Sequence, residues 1–405
     1  MIELIKKILK RNNIKAYNIF DETRESVELF FIKRQLDLTR NVNVREIRVR
    51  VYRDSEGIRG MSDVYIYPGM DESEIEETIV SGYDAAKYTR NPHFELMPGN
   101  KADIVLPARN LRKEAVKTAE ALYKAEDIVK DAFINSAEIF SNKKTVHIVD
   151  SNNADIRYEK YFVSGEFVTQ CKNELNDVEQ YQDFEYEDVD SDIITDKCVK
   201  SLLMVKDRAV AQKTDIDYSE YPIIITDSYV GDLLSFYLDR ANAAYIYPKY
   251  SSYKKGYKTS GKVSINTVPR VPYSEDGIRL SKLPLIRDGV VENIHGPMRF
   301  LSYLDLAQNG VYDAFECENA DMPFEQMCTG KYIIVKNFSD FQIDALDGHF
   351  GGEFRLAYLC DGNERKIITG GTVSGNLLES ESKITYSVEK YRDAKYYGPM
   401  AVKIG

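Results

Sequence analysis

A chain of 405 residues is long for a single hydrophobic core, so two or three domains are expected, each large enough to bury its own interior. With 43% hydrophobic and 29% charged residues the composition is that of an ordinary globular protein, and no segment approaches the roughly 18 uninterrupted apolar residues of a membrane span. A formal net charge of -11 disfavours a phosphate backbone as partner, and the five cysteines, odd in number and never in a C-x-x-C pair, suggest free thiols in a reducing compartment, the cytoplasm, over a disulfide framework.

The chain opens with Ile2, Ile5, Ile8 and Leu9 at helical spacing, and Glu3, Lys6, Lys7 and Lys10 interrupt what would be the apolar region of an export signal, so none is expected. Strands are predicted near 27–32, 44–52 and 61–67; in the second, Ile47, Val49 and Val51 alternate with Arg48 and Arg50, the pattern of an antiparallel sheet with one wet face. A helix over 71–88 carries Ile75, Ile79, Tyr83 and Ala86 on one stripe. The stretch from Asn91-Pro92 to Pro98-Gly99 reads as a linker, followed by a helix over 113–124. Strands over 145–149, 160–168 and 183–187 and a helix over 190–211, with Ile194, Cys198, Leu202 and Val205 at core spacing, complete a middle unit. From Tyr221 onward the pattern turns to short strands with frequent Gly and Pro and one convincing helix, 231–245. The expected class is α+β: an N-terminal α+β domain over 1–105 with helices packed on an antiparallel sheet, a middle unit over 106–217 able to pack with the first as one domain, and a mostly β C-terminal domain over 218–405.

Four histidines (His93, His147, His295 and His349) are too far apart in sequence for a helical metal pair. His147, in an alternating strand, reads as an ordinary strand histidine, and His93 and His295 stand in loop-like contexts without flanking ligands. Around His349, Asp347 and Glu353 join three glycines; the segment is either a glycine-rich turn between strands or a metal loop. Nine acidic residues between Glu174 and Asp192 alternate in part with aromatics, which suits a strand with a solvated face better than calcium. No G-x-S-x-G elbow, phosphate-binding glycine loop or dinucleotide fingerprint is present. From Tyr245 to Lys262, Tyr245, Tyr247, Tyr250, Tyr253 and Tyr257 interleave with lysines including Lys254 and Lys255. Tyrosine gives contact area at little entropic cost and lysine gives charge, so this segment is either a grip for a peptide, an acidic partner or a single strand of nucleic acid, or a solvated loop.

Several segments together resemble the TldD/PmbA family. The strand Tyr221–Ile225 leads into Gly231-Asp232-Leu233-Leu234-Ser235-Phe236-Tyr237-Leu238-Asp239-Arg240 as a strand leads into the family's zinc helix. Glu275-Asp276-Gly277 followed by Leu285-Ile286-Arg287-Asp288-Gly289-Val290, then Gly352-Glu353-Phe354, Thr372-Val373-Ser374-Gly375-Asn376 and Tyr397-Gly398-Pro399-Met400, are similar to further family steps in order. The resemblance covers nearly the whole chain.

In active members the resemblance implies an H-E-x-x-x-H helix whose two histidines hold zinc and whose glutamate is the general base, completed by a cysteine near the C-terminus. Here Ser235, Phe236 and Arg240 stand at those positions, and the last cysteine is Cys360. Phenylalanine takes no proton, and a guanidinium that stays charged repels a dication. The pattern is most like the PmbA, or TldE, branch, known also as modulator of DNA gyrase. It implies a subunit that lacks catalysis and a cofactor of its own, binds peptide, and partners a zinc-bearing TldD-like metallopeptidase or itself in proteolysis or peptide maturation. Strand addition to an exposed sheet edge would hold the peptide, with the Tyr/Lys segment at the rim. The alternatives are a homodimer that binds peptide or nucleic acid without a protease partner, although the acidity makes nucleic acid unfavoured, and a metallopeptidase whose metal has moved to Asp347, His349 and Glu353.

Overall fold

The structure, a computed structural model, describes every residue except 175, 215 and 363. Helix α1 (Ile2–Arg11) buries Ile5, Ile8 and Leu9, the stripe its spacing predicts, and leaves its charges outward. Strands β1 (Ala16–Ile32), β2 (Gln35–Ser55) and β3 (Ile58–Ile66) follow, then α2 (Glu72–Ala85), which starts at a capping box in which Asp71 and Glu74 satisfy each other's backbone N–H. After the two short strands β4 (Asn91–Pro92) and β5 (Lys101–Ile104) come α3 (Leu111–Ile128), β6 (Phe133–Asp150), β7 (Asp155–Lys172), β8 (Asp177–Tyr186) and α4 (Ser191–Val210).

These strands form one sheet in the order β4-β3-β2-β1-β6-β7-β5, with β8 on the outer side of β7 beyond the reach of β5. β1 pairs with β2 on one side and with β6 on the other, so one sheet spans residue 105. Inward side chains share one face: Ile19 opposes Val49 and Val149, and Leu29 opposes Ile139. All four helices cover that face, α1 and α2 over Ile19, Val49, Val51 and Ile66, and α3 and α4 over Leu29, Ile139, Val163 and Phe167. The strands run well beyond their apolar stretches because ion pairs line both faces: Arg45 donates to Asp21 at 2.6 and 2.9 Å on the face the helices share, and Arg50 to Asp63 at 2.7 and 2.9 Å on the opposite one.

The remainder of the chain is built on two sheets. One orders Val290–Val291, Leu283–Arg287, Ile265–Thr267, Phe315–Cys317, Tyr396–Pro399 and Lys390–Arg392. The other orders Gln342–Ile343, His349–Asp361, Lys331–Phe338, β9 (Ile223–Thr226), Ala401–Ile404 and Ile384–Tyr386, with Arg365–Ile368 and Gly371–Asn376 also paired to His349–Asp361. Between them lies α5 (Ser228–Arg240), whose Leu233, Leu234, Phe236 and Tyr237 are fully buried among Ile265, Leu285, Phe315, Tyr396 and Val402. A Cβ on Gly231 would meet that of Tyr396 at 2.8 Å, so glycine lets the tyrosine lie against the helix.

The helix predicted over 231–245 is two. It stops at Arg240 because Ala243 N–H turns to donate to the carbonyl of His295 at 2.7 Å, and Asn242 Oδ1 accepts from Ala244 N–H at 2.9 Å to start a new turn, Ala243–Ile246.

The two halves meet on the sheet face that the helices leave free. Val146, Ile148, Ile156 and Tyr158 pack against Tyr273. The next residues form a clasp: Arg48 donates to Glu275 at 2.5 Å, Asn18 Nδ2 to the Glu275 carbonyl at 3.1 Å, and Asn100 Nδ2 to the Gly277 carbonyl at 3.1 Å, with Gly277 at φ +74. The Glu-Asp-Gly turn is therefore the point at which the C-terminal region docks. Among the described residues no helix is long and apolar enough to cross a membrane, and the five cysteines are free thiols.

Candidate functional site

At about 100° per residue, Ser228, Asp232, Ser235 and Asp239 fall on one stripe of α5, and these are the helix positions the packing leaves accessible, with Tyr229 half-buried beside them. The stripe opens into two hollows. The first, about 550 Å³, contains Ser228, Asp232 and Ser235 and is walled by the face of β7 and β8 and by the segment Tyr391–Tyr396. The second, about 830 Å³, contains Asp239 together with Tyr245, Tyr250, Asp344, Leu346 and His349. Asp232 and Asp239 are seven residues apart, about 10 Å along the helix axis, so one stripe of α5 contributes to both hollows, together called the trench below.

The trench is acidic. In the first hollow Glu166, Asp183, Glu185, Asp232, Asp313 and Asp393 outnumber Lys197, Arg270 and Lys395, and Arg270 is already held by Glu185 and by Asp313, the latter at 2.9 Å. Desolvation in the cleft pushes the Asp232 carboxyl up to about 6; Asp393 adds to the rise and Lys395 opposes it. Burial also raises the Asp239 carboxyl, and the Asp239 charge in turn is the main cause that lifts the phenol of Tyr245. The ammonium of Lys197 is pulled below its ordinary value by desolvation.

The three positions that the resemblance sets against the family's zinc helix do not converge. Ser235 Oγ faces the first hollow and donates to the Asp232 carbonyl at 2.7 Å. Phe236 is fully buried. Arg240, 7% exposed, lies about 140° round the helix from Ser235; its guanidinium stacks 5.7 Å from Phe236 and 5.3 Å from Tyr253, and Nη1 donates to the carbonyls of Tyr250 at 3.0 Å and Leu346 at 2.8 Å. A hydroxyl, a hydrocarbon ring and a protonated guanidinium do not make a zinc site, and two of the three face the interior.

The tyrosine and lysine segment is divided. Tyr245 and Tyr250 line the second hollow. Tyr247 packs on Phe300 and Tyr303 at 5.7 and 5.0 Å, Tyr253 is 1% exposed, and Tyr257 stacks on Tyr253 at 4.8 Å, while Lys254 and Lys255 are exposed. Tyr253 and Tyr257 thus belong to the core and its margin, because the chain wraps back over α5, and Tyr253 offers no surface to a peptide.

The set Asp347, His349 and Glu353 is also divided. His349 Nδ1 lies 3.0 Å from Asp347, whose carboxyl is held below its usual range by the His349 N–H and ring. Glu353 is four residues further along the same strand, about 13 Å away, too far to share an ion. Among the described residues no group of three or more His, Cys, Asp or Glu is placed to hold a metal. His147 Nε2 meets Asp155 at 2.7 Å, His93 lies 3.9 Å from Asp54, and His295 is buried with Nε2 at 2.9 Å from the Leu238 carbonyl.

The sequence reading did not single out Asp232 and Asp239. Their signal is a polar i, i+3, i+7 stripe, Asp232, Ser235 and Asp239, in an otherwise apolar helix. The acids of β8 do form an accessible strand face, with Asp183 exposed and Glu185 half-buried beside buried Phe184, and both line the first hollow.

Comparison with known proteins bears on the same region. Residues 218–402 match the family model described as the PmbA/TldA metallopeptidase C-terminal domain. The whole fold is similar to TldE from Thermococcus kodakarensis, at 13% identity, 100% of this chain and 98% of that one, with TM-score 0.77. It is similar also to proteins described as proposed modulators of DNA gyrase. One is from Thermotoga maritima, at 13% identity, 100% and 98% coverage and TM-score 0.78. The other is from Bacteroides thetaiotaomicron, at 13% identity, 100% and 97% coverage and TM-score 0.79. A search of curated proteins finds no match. The α5 helix and the strands on either side of it lie within the matched region, so residues 218–402 carry the PmbA/TldA metallopeptidase C-terminal domain, on a chain whose whole fold is that of the TldE structure.

Proposed function

We propose that this chain is a TldE-like subunit that performs no peptide hydrolysis by itself, and that it holds an extended peptide along the trench floored by α5 while a TldD-like metallopeptidase subunit supplies the zinc. The observation that carries this reading is the state of α5: a cleft lies along it, yet Phe236 and Arg240, at the positions the resemblance gives to the general base and second ligand, are built into the core. Asp232 and Asp239 on the floor, with Tyr245 and Tyr250 at the rim, favour a peptide with basic side chains, since carboxylates pair with them and phenol rings attract cations. Strand β8, the outermost strand at this side of the sheet, gives main-chain partners for an extended segment. In this reading the subunit works in the cytoplasm, in proteolysis or peptide maturation, beside the TldD-like subunit or a second copy of itself.

The test is a peptidase assay on unstructured peptides, with the chain alone in added zinc and with a TldD-like chain from the same genome. Cleavage that appears only with the partner, and is lost with chelator, is the expected result. Chelator-sensitive cleavage by this chain alone would overturn the reading.

A further inference from the structure

We propose that Lys197 marks a carboxylate subsite in the first hollow, where its ammonium holds one carboxylate of an otherwise basic peptide lying along the free edge of β8. The proposal rests on the peptide-binding reading and deepens it, since it adds one anionic feature to what the trench accepts.

The first observation is where the lysine stands. Helix α4 buries Ile194, Cys198 and Leu202 against the sheet, and Lys197, about 60° round the helix from Ile194, flanks that stripe and lines the first hollow. β8 pairs with β7 through all of its ten residues, and among the described residues no strand pairs with its other side. Asp183 of β8 lines the same hollow, and its charge acts on the Lys197 amine. A peptide strand added to the outer edge of β8 therefore runs past the ammonium.

The second observation is that this ammonium is unanswered. The other two lysines of α4 are engaged: Lys200 meets Asp196 at 2.8 Å, and Lys206 donates to the Lys130 carbonyl at 2.7 Å. Among the described residues Lys197 Nζ has no hydrogen bond and no carboxylate within 4.0 Å, although the side chain is half-buried. Desolvation lowers the amine despite the more distant pull of Asp183, Asp393 and Asp227. A cation that has given up water without gaining a contact is stabilised by an anion brought to it.

The third observation is that the neighbouring acids are already engaged. Arg270 holds Glu185 and Asp313, Glu166 accepts from the Tyr181 hydroxyl at 2.9 Å, and Asp227 is paired with Lys336 at 3.0 Å. Asp393 Oδ1 accepts from the N–H groups of Lys395 and Tyr396, each at 2.8 Å. The side chain of Lys395, which also lines the hollow, has no partner among the described residues. Two free ammoniums in one hollow suit a single carboxylate, while Asp232 and Asp239 further along α5 favour basic side chains on the rest of the peptide. That carboxylate is supplied by a chain terminus or by an acidic side chain.

The experiment uses the full chain alone and fluorescence anisotropy with three peptides carrying a neutral dye at the N-terminus. One is alternating lysine and alanine with a free C-terminal carboxylate, the second is its C-terminal amide, and the third is the amide with glutamate as last residue. Wild type is expected to bind the better of the two carboxylate-bearing peptides about tenfold or more tightly than the plain amide. Lys197→Gln, checked for folding by circular dichroism, should abolish that difference, and Lys197→Arg should keep most of it. Equal binding of all three peptides by wild type overturns the subsite and leaves the peptide reading standing, as does a preference that survives Lys197→Gln. Binding of none of the three overturns the peptide reading and the subsite with it. A preference for the free acid over the glutamate peptide supports the subsite with a chain terminus as its ligand, and the reverse order supports it with an acidic side chain.

Discussion

The guanidinium of Arg240 lies 5.3 Å from the ring centroid of Tyr253, and through Nη1 it binds the carbonyls of Tyr250 and Leu346. One cation at the end of α5 therefore ties together the two chain segments that wall the second hollow. Replacing Arg240 by alanine strands two carbonyls and removes the stack, and a loss of about 2–4 kcal/mol in stability is expected, read by urea unfolding. Lysine at this position, with one ammonium and no plane to stack, recovers only part of the loss.

Rebuilding the zinc motif in place is expected to fail for a related reason. Phe236 is fully enclosed, and Phe236→Glu buries an unpaired carboxylate, with an expected cost of about 4 kcal/mol or more. The triple change Ser235→His, Phe236→Glu, Arg240→His should give protein that unfolds below the wild-type temperature and shows no zinc-dependent cleavage. A folded, active triple variant would show that the helix can turn to present these positions.

Asp232 sets a pH dependence. Its carboxyl titrates at about 6 in the fold against 3.8 in the unfolded chain, so between those values the folded state holds the extra proton. Stability from this group is greatest at low pH and declines as pH rises to 6, after which it is constant. Asp232→Asn should therefore melt above wild type at pH 7.5 and match it near pH 4. Binding of a lysine-rich peptide should strengthen from pH 5 to 7 in wild type and lose that slope in the variant, as fluorescence anisotropy would report.

His295 acts in the opposite sense. Burial holds its imidazole at about 4 in place of 6.5, so the unfolded chain takes up the proton first as pH falls. Its contribution is intact above 6.5 and is lost progressively down to 4, by up to about 3 kcal/mol. His295→Gln should flatten the unfolding free energy between pH 6.5 and 4.5.

Gly277 should not tolerate a side chain. At φ +74, with Ile156 Cδ1 at 3.4 Å from where a Cβ would be, alanine is expected to cost about 1–2 kcal/mol and to loosen the docking of the two halves. Faster nicking by trypsin near residues 270–280 would be the readout.

Much of this architecture is legible in the residues. Ile5, Ile8 and Leu9 announce α1, and Ile194, Cys198, Leu202 and Val205 announce α4, since buried helical faces must repeat at 3.6. The strands were read short. β1 spans 17 residues and β2 spans 21: Thr23–Ser26 carries no apolar side chain and is held extended by its ladder partners, while Leu36, Leu38, Val42 and Val44 in β2 alternate with polar residues over a stretch interrupted by Arg40, and only Val44 onward was read as strand. That Ser235, Phe236 and Arg240 offer no set of metal ligands was readable from their side-chain chemistry. The trench was not: its floor comes from α5, its walls from β7, β8 and residues 391–396, and no local pattern encodes their meeting. The division of the tyrosine segment was likewise hidden, because alternating Tyr and Lys look alike whether a ring points outward, as Tyr250 does, or into the core, as Tyr253 does.

The clasp at Glu275, Asp276 and Gly277 makes the trench behave as a calliper. One jaw is the N-terminal sheet, the other is the C-terminal region, and the aperture between them is set where Arg48 and Asn100 grip that three-residue turn. A change there alters what the jaws admit without touching anything that lines them. Under the proposed peptide-binding reading, affinity and selectivity are therefore adjustable at a turn outside the two hollows.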